Sequence, residues 1–302
     1  MIKRLDDTST SEVSKQLVRM RDSGGAVTLG RVLTLIVKTE PGDDTEAAIA
    51  AANEASREHP CRVIVAAAAD RRKAARLDAE IRVGGDAGAS EVVVLHLFGE
   101  LGAHADAVVT PFLLPDTPVV TWWPGTAPKN PSRDRLGALG GRRILDGTNR
   151  FDAQGVLAQR LRSYAPGDTD IAWAQITPWR ALLAAAFDRV PARKPVRVRV
   201  AGPGPSVGLD LLAGWLAECL RVPTERLDGD LGVEIDCADG LLSLTHDGDY
   251  TLIRDPGCPD ARTPWRDRTT GACLAEELRR LDPDETYARA LRGTKRLQHT
   301  TR

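Results

Sequence analysis

Glycines at 202, 204 and 208 and a serine at 206 stand in Gly202-Pro203-Gly204-Pro205-Ser206-Val207-Gly208, between an apolar run and a helical pattern. That is where dinucleotide-binding loops hold a pyrophosphate. A phosphate cradle works through successive backbone N–H groups at a helix N-terminus, and prolines at 203 and 205 remove two of those donors. The residues that follow read as an antiparallel meander instead of a parallel strand ending in a ribose-binding acid. The chemistry favours a plain strand-to-helix turn, with Gly202, Gly204, Ser206 and Gly208 kept as nucleotide-binding candidates.

A second candidate is Cys61, two residues after His59, since a Cys/His pair can supply a nucleophile and its base. Cys61 opens an apolar strand pattern, where a cysteine packs as a small hydrophobe. His96, His104, His246 and His299 have no His or Cys four residues away, and Asp43-Asp44 and Glu276-Glu277 fit helix starts and faces. The sequence holds no G-x-S-x-G and no Walker motif. Five cysteines, at 61, 219, 237, 258 and 273, form no C-x-x-C pair, so neither a disulfide framework nor a zinc site is expected.

Two basic clusters, Arg71-Arg72-Lys73 and Arg142-Arg143, have the guanidinium forks that pair with phosphates or with acidic patches, although charge runs are commonly just solvated. Trp122-Trp123 lies on a strand pattern, where neighbouring side chains point to opposite faces. In a sheet covered on both sides each ring would be buried; otherwise one is exposed and becomes an interface anchor.

The elements that would position these groups follow from capping and periodicity. Ser9 and Glu12 form a capping box ahead of Val13, Leu17, Val18 and Met20, and Gly24-Gly25 ends that helix. Residues 31–37 and 61–67 read as buried strands, with an Asp-capped, Ala-rich helix between them that ends by His59-Pro60. Residues 77–83 alternate as a half-exposed strand, Gly84–Gly88 is a turn, and 91–98 reads as a strand. Residues 103–114 look helical despite Pro111, followed by strands at 118–123 and 143–145. Helices are expected at 151–161 and 178–187, with Thr177 as cap and Pro178 at the first position.

The PARKP segment marks a boundary, giving domains 1–193 and 194–302. The second contains strand 196–200, helix 206–220, strands 231–237, 241–245 and 250–254 joined by Asp-Gly turns, and helices 272–281 and 284–291. The fold class is α/β: a larger N-terminal α/β domain with a mixed sheet, then a smaller C-terminal α+β domain with an antiparallel meander and closing helices.

Composition sets outer limits. The chain has 302 residues, so about two domains are expected. Its 41 basic residues against 42 acidic ones leave a charge of −1, which argues against nucleic-acid and membrane-surface partners. No stretch approaches the ~18 apolar residues of a membrane span, and the charged start lacks a signal-peptide core, so a cytoplasmic location is expected.

Several strings resemble one family in order along the chain: His59-Pro60-Cys61-Arg62, IRVGGDAGASEVVVL at residues 81–95, PDTPVVTWWPG at 115–125, TPWR at 177–180 and LAEELRRLDPDETYARAL at 274–291. They are similar to OpcA, the glucose-6-phosphate dehydrogenase assembly family of actinobacteria and cyanobacteria. The resemblance implies a non-enzymatic partner that assembles or allosterically activates that dehydrogenase, with no cofactor of its own. Trp122, Trp123, Arg71, Arg72, Arg142 and Arg143 are then the expected partner contacts. The alternative is a sugar-phosphate- or nucleotide-binding enzyme or sensor using the Gly202–Gly208 loop or the Arg71 cluster, and a small-molecule effector is compatible with either.

Overall fold

The computed structural model describes residues 1–23, 30–84, 91–190 and 193–300. In chain order the elements are β1 (Ile2–Leu5), α1 (Thr10–Ser23), β2 (Leu33–Thr39), α2 (Thr45–Ser56), β3 (Cys61–Ala68), β4 (Arg76–Val83), β5 (Glu91–Phe98), α3 (Ala105–Val109), β6 (Val119–Trp123) and β7 (Arg142–Leu145). They continue with α4 (Ala153–Ser163), β8 (Asp168–Asp170), α5 (Ile171–Gln175), α6 (Thr177–Arg189), β9 (Pro195–Ala201), α7 (Val207–Leu220), β10 (Thr224–Leu227) and β11 (Gly232–Cys237). The chain closes with β12 (Gly240–Asp247), β13 (Tyr250–Arg254), β14 (Ala261–Pro264), α8 (Thr270–Arg279), α9 (Glu285–Gly293) and β15 (Leu297–Thr300).

Two compact units form, each with its own sheet. One comprises Met1–Asp146, Ala165–Thr169 and Thr269–Pro283; the other comprises Gly147–Tyr164, Asp170–Arg268 and Asp284–Arg302. This grouping differs from a single cut at 193. The apolar faces of α4, α5 and α6 supply Leu157, Trp173, Trp179 and Leu183 to the same core as Val198, Val200, Leu211 and Leu212. Burial, not the Pro-containing linker, therefore decides where these helices belong.

The first sheet runs β1-β4-β5-β3-β2-β6-β7-β8. Strands β5, β3, β2, β6 and β7 are parallel, whereas β4 pairs antiparallel with β5 and β1 with β4. The sheet is mixed, as the sequence indicates. Starting at β2, the chain steps outward through β3 towards β5 and then returns to the other side of β2 for β6 and β7. The strand order thus reverses between β2 and β6. Ala-rich α2 is capped by Asp44, whose Oδ1 accepts from the Ala47 N–H at 2.9 Å, and α2 packs on β3 and α8. On the alternating positions of the sheet, Val13, Leu17, Val108, Val109 and Phe112 cover Ile36, Ile64, Ile81, Val93 and Leu95. Both faces of the central strands are covered, and all seven residues of β2 are buried.

The second sheet runs β14-β13-β12-β11-β9-β10-β15. An antiparallel meander, β9-β11-β12-β13-β14, carries a parallel pair, β10 and β15, on the far side of β9. The hairpin turns use Gly240 at φ +130° and Gly248 at φ +59°, backbone that glycine adopts without steric cost. Helices α7 and α9 meet through Gly214 and Gly293, where a Cβ on either would strike the other helix's backbone.

Local differences from the sequence reading have local causes. Residues 103–114 do not form one helix: α3 is flanked by 3-10 turns at Gly99–His104 and Thr110–Phe112, the second containing Pro111, which cannot donate to a helical ladder. Ile176, not Thr177, occupies the cap position of α6, and Pro178 lies within its first turn. Strand β4 is more buried than expected, because Glu80 is enclosed by Arg4 and Arg82 at 2.7 and 2.6 Å. The Gly24-Gly25 stop and residues 85–88 of the expected turn lie outside the described residues.

Candidate functional site

A cavity of about 570 Å³ opens where the strand order reverses, at the C-terminal ends of β2 and β6. In open α/β sheets this is where ligands bind, because the loops diverge there and leave a crevice. Lys38 and Glu40 come from the end of β2, Arg71 from the loop after β3, Asp106 from α3, Trp123 from the end of β6, and Arg135 from the loop before β7. Buried Lys38 donates to Glu40 Oε1 at 2.8 Å and to the Thr39 carbonyl at 2.9 Å. Arg71 donates to Glu40 Oε2 at 2.9 Å. Burial acts to raise the Glu40 pKa, but hydrogen bonds and charge from Lys38 and Arg71 outweigh it and hold the carboxyl below its ordinary value.

The rest of the lining is less fully paired. Arg135 donates to His104 Nδ1 at 3.0 Å, and Asp134 Oδ1 accepts from the backbone N–H groups of Leu136 and Gly137 at 3.0 and 3.1 Å. Asp106 Oδ1 is buried without a hydrogen-bond partner among the described residues. The α2 N-terminus behind the crevice carries Asp43 and Asp44: Asp43 Oδ2 accepts the Glu40 N–H at 2.8 Å, and Asp44 caps the helix. A pyrophosphate, which would seek this helix end, meets two carboxylates there instead of free donors.

Of the residues singled out from sequence, Arg71 lines this cavity and Arg72 is exposed beside it, paired at 3.2 Å with Asp70. Trp122 and Trp123 are 1% and 2% exposed, so neither presents the exposed ring required of an interface anchor. The central strands are covered on both faces and both indoles are buried; Trp123 also lines the cavity. Arg142 and Arg143 are likewise buried. Arg142 pairs with Glu277 and donates to the Asp282 carbonyl at 2.8 Å; Arg143 pairs with Asp168 at 2.5 Å and donates to the Gly140 and Pro166 carbonyls. These two guanidiniums hold loops together and form no accessible basic rim. Burial raises the Asp168 pKa, with Arg143 opposing the shift only in part.

The Gly202–Gly208 segment is a tied turn in the second unit. Arg226 donates to the Gly202 and Gly204 carbonyls at 3.2 and 2.8 Å and pairs with Asp210 at 3.2 Å. The Gly204 N–H donates to Asp228 at 2.9 Å, and Ser206 Oγ accepts the Leu209 N–H at 3.3 Å as the α7 cap. Gly208 packs where a Cβ would come 3.2 Å from the Ala172 carbonyl. The Gly204 and Leu209 N–H groups are thus engaged within the protein, and the Asp228 and Asp210 carboxylates stand at the turn where a phosphate would lie. Cys61 is fully buried, which pushes its thiol up to about 12, far from the thiolate a nucleophile requires.

Comparison with known proteins gives two consecutive family matches. Residues 52–162 match the glucose-6-phosphate dehydrogenase subunit N-terminal domain and residues 166–291 match the C-terminal domain of the same family. The chain belongs to the OpcA glucose-6-phosphate dehydrogenase assembly family. The two matched segments meet between 162 and 166, close to the end of α4. Two structures of UDP-N-acetylglucosamine 3-dehydrogenase GnnA from Acidithiobacillus ferrooxidans are similar over 87% and 88% of this chain and 95% and 97% of theirs, at 11% and 9% identity and TM-scores of 0.37 and 0.35. No curated protein matches the chain.

Sequence reasoning passed over Lys38, Glu40, Asp106 and Arg135, because no local motif joins them; the strand order does. One signal was available: Lys38 is a lone cation ending the largely apolar run Leu33–Val37, and after Thr39 comes Glu40-Pro41-Gly42. A charge at the C-terminal end of a buried parallel strand marks the side of the sheet where sites form.

Proposed function

We propose that this chain is a non-catalytic partner of glucose-6-phosphate dehydrogenase that assembles or allosterically activates it. The observation that carries this reading is the ordered pair of family matches spanning residues 52–162 and 166–291. Supporting it, three of the groups singled out for chemistry are spent on the fold. Cys61 is held as a buried thiol, and Arg142 and Arg143 are closed into ion pairs.

Such a partner acts by binding one state of the enzyme better than another. A fivefold to hundredfold effect needs only about 1–3 kcal/mol of differential affinity. A formal charge of −1 presents no large single-sign field to oppose approach to another protein. Of the residues expected to meet the partner, Arg71 and Arg72 remain exposed, and they are the ones retained for that role. No described helix is long and apolar enough to cross a membrane.

Sedimentation velocity of an equimolar mixture with the dehydrogenase from the same source tests the association. A species heavier than either protein alone is expected. Two unchanged boundaries at micromolar concentration would refute it.

A further inference from the structure

We propose that the cavity at the C-terminal ends of β2 and β6 is a binding site for a sugar phosphate. Its position is the first argument: the reversal of strand order between β2 and β6 opens the crevice that open α/β sheets use for ligands, and about 570 Å³ exceeds the volume of one phosphorylated hexose. The state of its charged groups is the second. Lys38 and Arg71 share Glu40, and Asp134 is engaged by two backbone N–H groups, so these acids are occupied within the protein.

What remains is complementary to a hydroxylated anion. Arg71 and Arg135 each carry five N–H donors and spend one on Glu40 and one on His104, respectively, among the described contacts. Those two guanidiniums are placed to take a phosphate. The Asp106 carboxylate, with an oxygen that no described protein donor reaches, is an acceptor for sugar hydroxyls. Trp123 is the aromatic residue of the wall. A nucleotide fits less well, because Asp43 and Asp44 occupy the α2 N-terminus where its pyrophosphate would lie. The site stands on this chain alone, so its failure would leave the partner reading untouched.

Isothermal titration calorimetry of the purified chain with glucose 6-phosphate, glucose and inorganic phosphate tests the proposal. Saturable binding of glucose 6-phosphate is expected, at least tenfold tighter than either fragment. Arg135→Gln removes an exposed cation and Asp106→Asn removes a charge; each should weaken binding at least tenfold with an unchanged melting temperature. No saturable heat at millimolar ligand would overturn the proposal. Equal affinity for inorganic phosphate would reduce the site to a bare anion contact and overturn the sugar assignment. Binding within twofold of wild type in both variants would place any site elsewhere.

Discussion

Arg142 on β7 and Glu277 on α8, 135 residues apart in sequence, form an ion pair in which each side chain is 4% exposed. Buried pairs recover little net energy when both charges are present, but removing one partner strands the other in a low-dielectric interior. Glu277→Ala should therefore cost about 3–5 kcal/mol in urea unfolding. A loss below about 1 kcal/mol would mean that water solvates Arg142 in the variant.

Trp122 is core. Trp122→Ala should destabilise the protein by about 3–5 kcal/mol, by lost burial together with a cavity. A variant that kept wild-type stability but lost association with the dehydrogenase would restore the interface role that burial removes.

Glu91 opens β5 at 1% exposure and is paired with Arg21, Arg31 and Arg62 at 2.6, 2.8 and 2.8 Å. Burial acts to raise its pKa, but the three arginines outweigh it and hold it below the ordinary 4.5. The unfolded chain takes up this proton more readily than the folded one. The stabilisation is thus complete above about pH 4.5 and is lost as pH falls through the folded value. Urea midpoints between pH 7 and pH 3 should fall less steeply for Glu91→Gln than for wild type. Parallel profiles would show that other carboxylates govern acid unfolding.

Arg226 closes the Gly202–Gly208 turn and neutralises Asp210, a carboxyl whose pKa burial raises against the opposing charges of His299 and Arg226. Arg226→Ala should cost about 3–5 kcal/mol and speed hydrogen exchange at the Gly204 and Leu209 amides. Unchanged exchange would show that Asp228 and Ser206 hold the turn unaided.

The legible parts of this protein were those set by neighbours in sequence. Capping at Ser9 and Asp44, the continuous apolar runs of β2, β3 and β5, and the Asp-Gly hairpins around β12 each carry their signal within a few residues. Short elements such as β8, α5, β10, β14 and β15 span three to five residues, too few for a period to show, and depend on strands already in place. The assignment of α4 to α6 to the second core escaped for a related reason, since an amphipathic face does not name the sheet it will cover. The cavity was the least legible feature. Only Arg71 belonged to a cluster singled out from sequence, whereas Lys38, Asp106 and Arg135 lie far apart in the chain and strand order brings them together. Residue type also misled where burial decided the outcome: paired tryptophans and paired arginines suggest a surface for recognition, yet a sheet covered on both faces takes all four side chains inside.

On the function proposed above, this chain changes how glucose-6-phosphate dehydrogenase works without catalysing a reaction itself. The most direct measurement is the initial-rate saturation curve of that dehydrogenase for glucose 6-phosphate, with and without an equimolar amount of this chain, and with the chain alone as control. At least a severalfold rise in kcat/KM that saturates at a fixed stoichiometry is expected, with no turnover by the chain alone. Superimposable curves at saturating concentrations of the chain, or turnover by the chain alone, would contradict it.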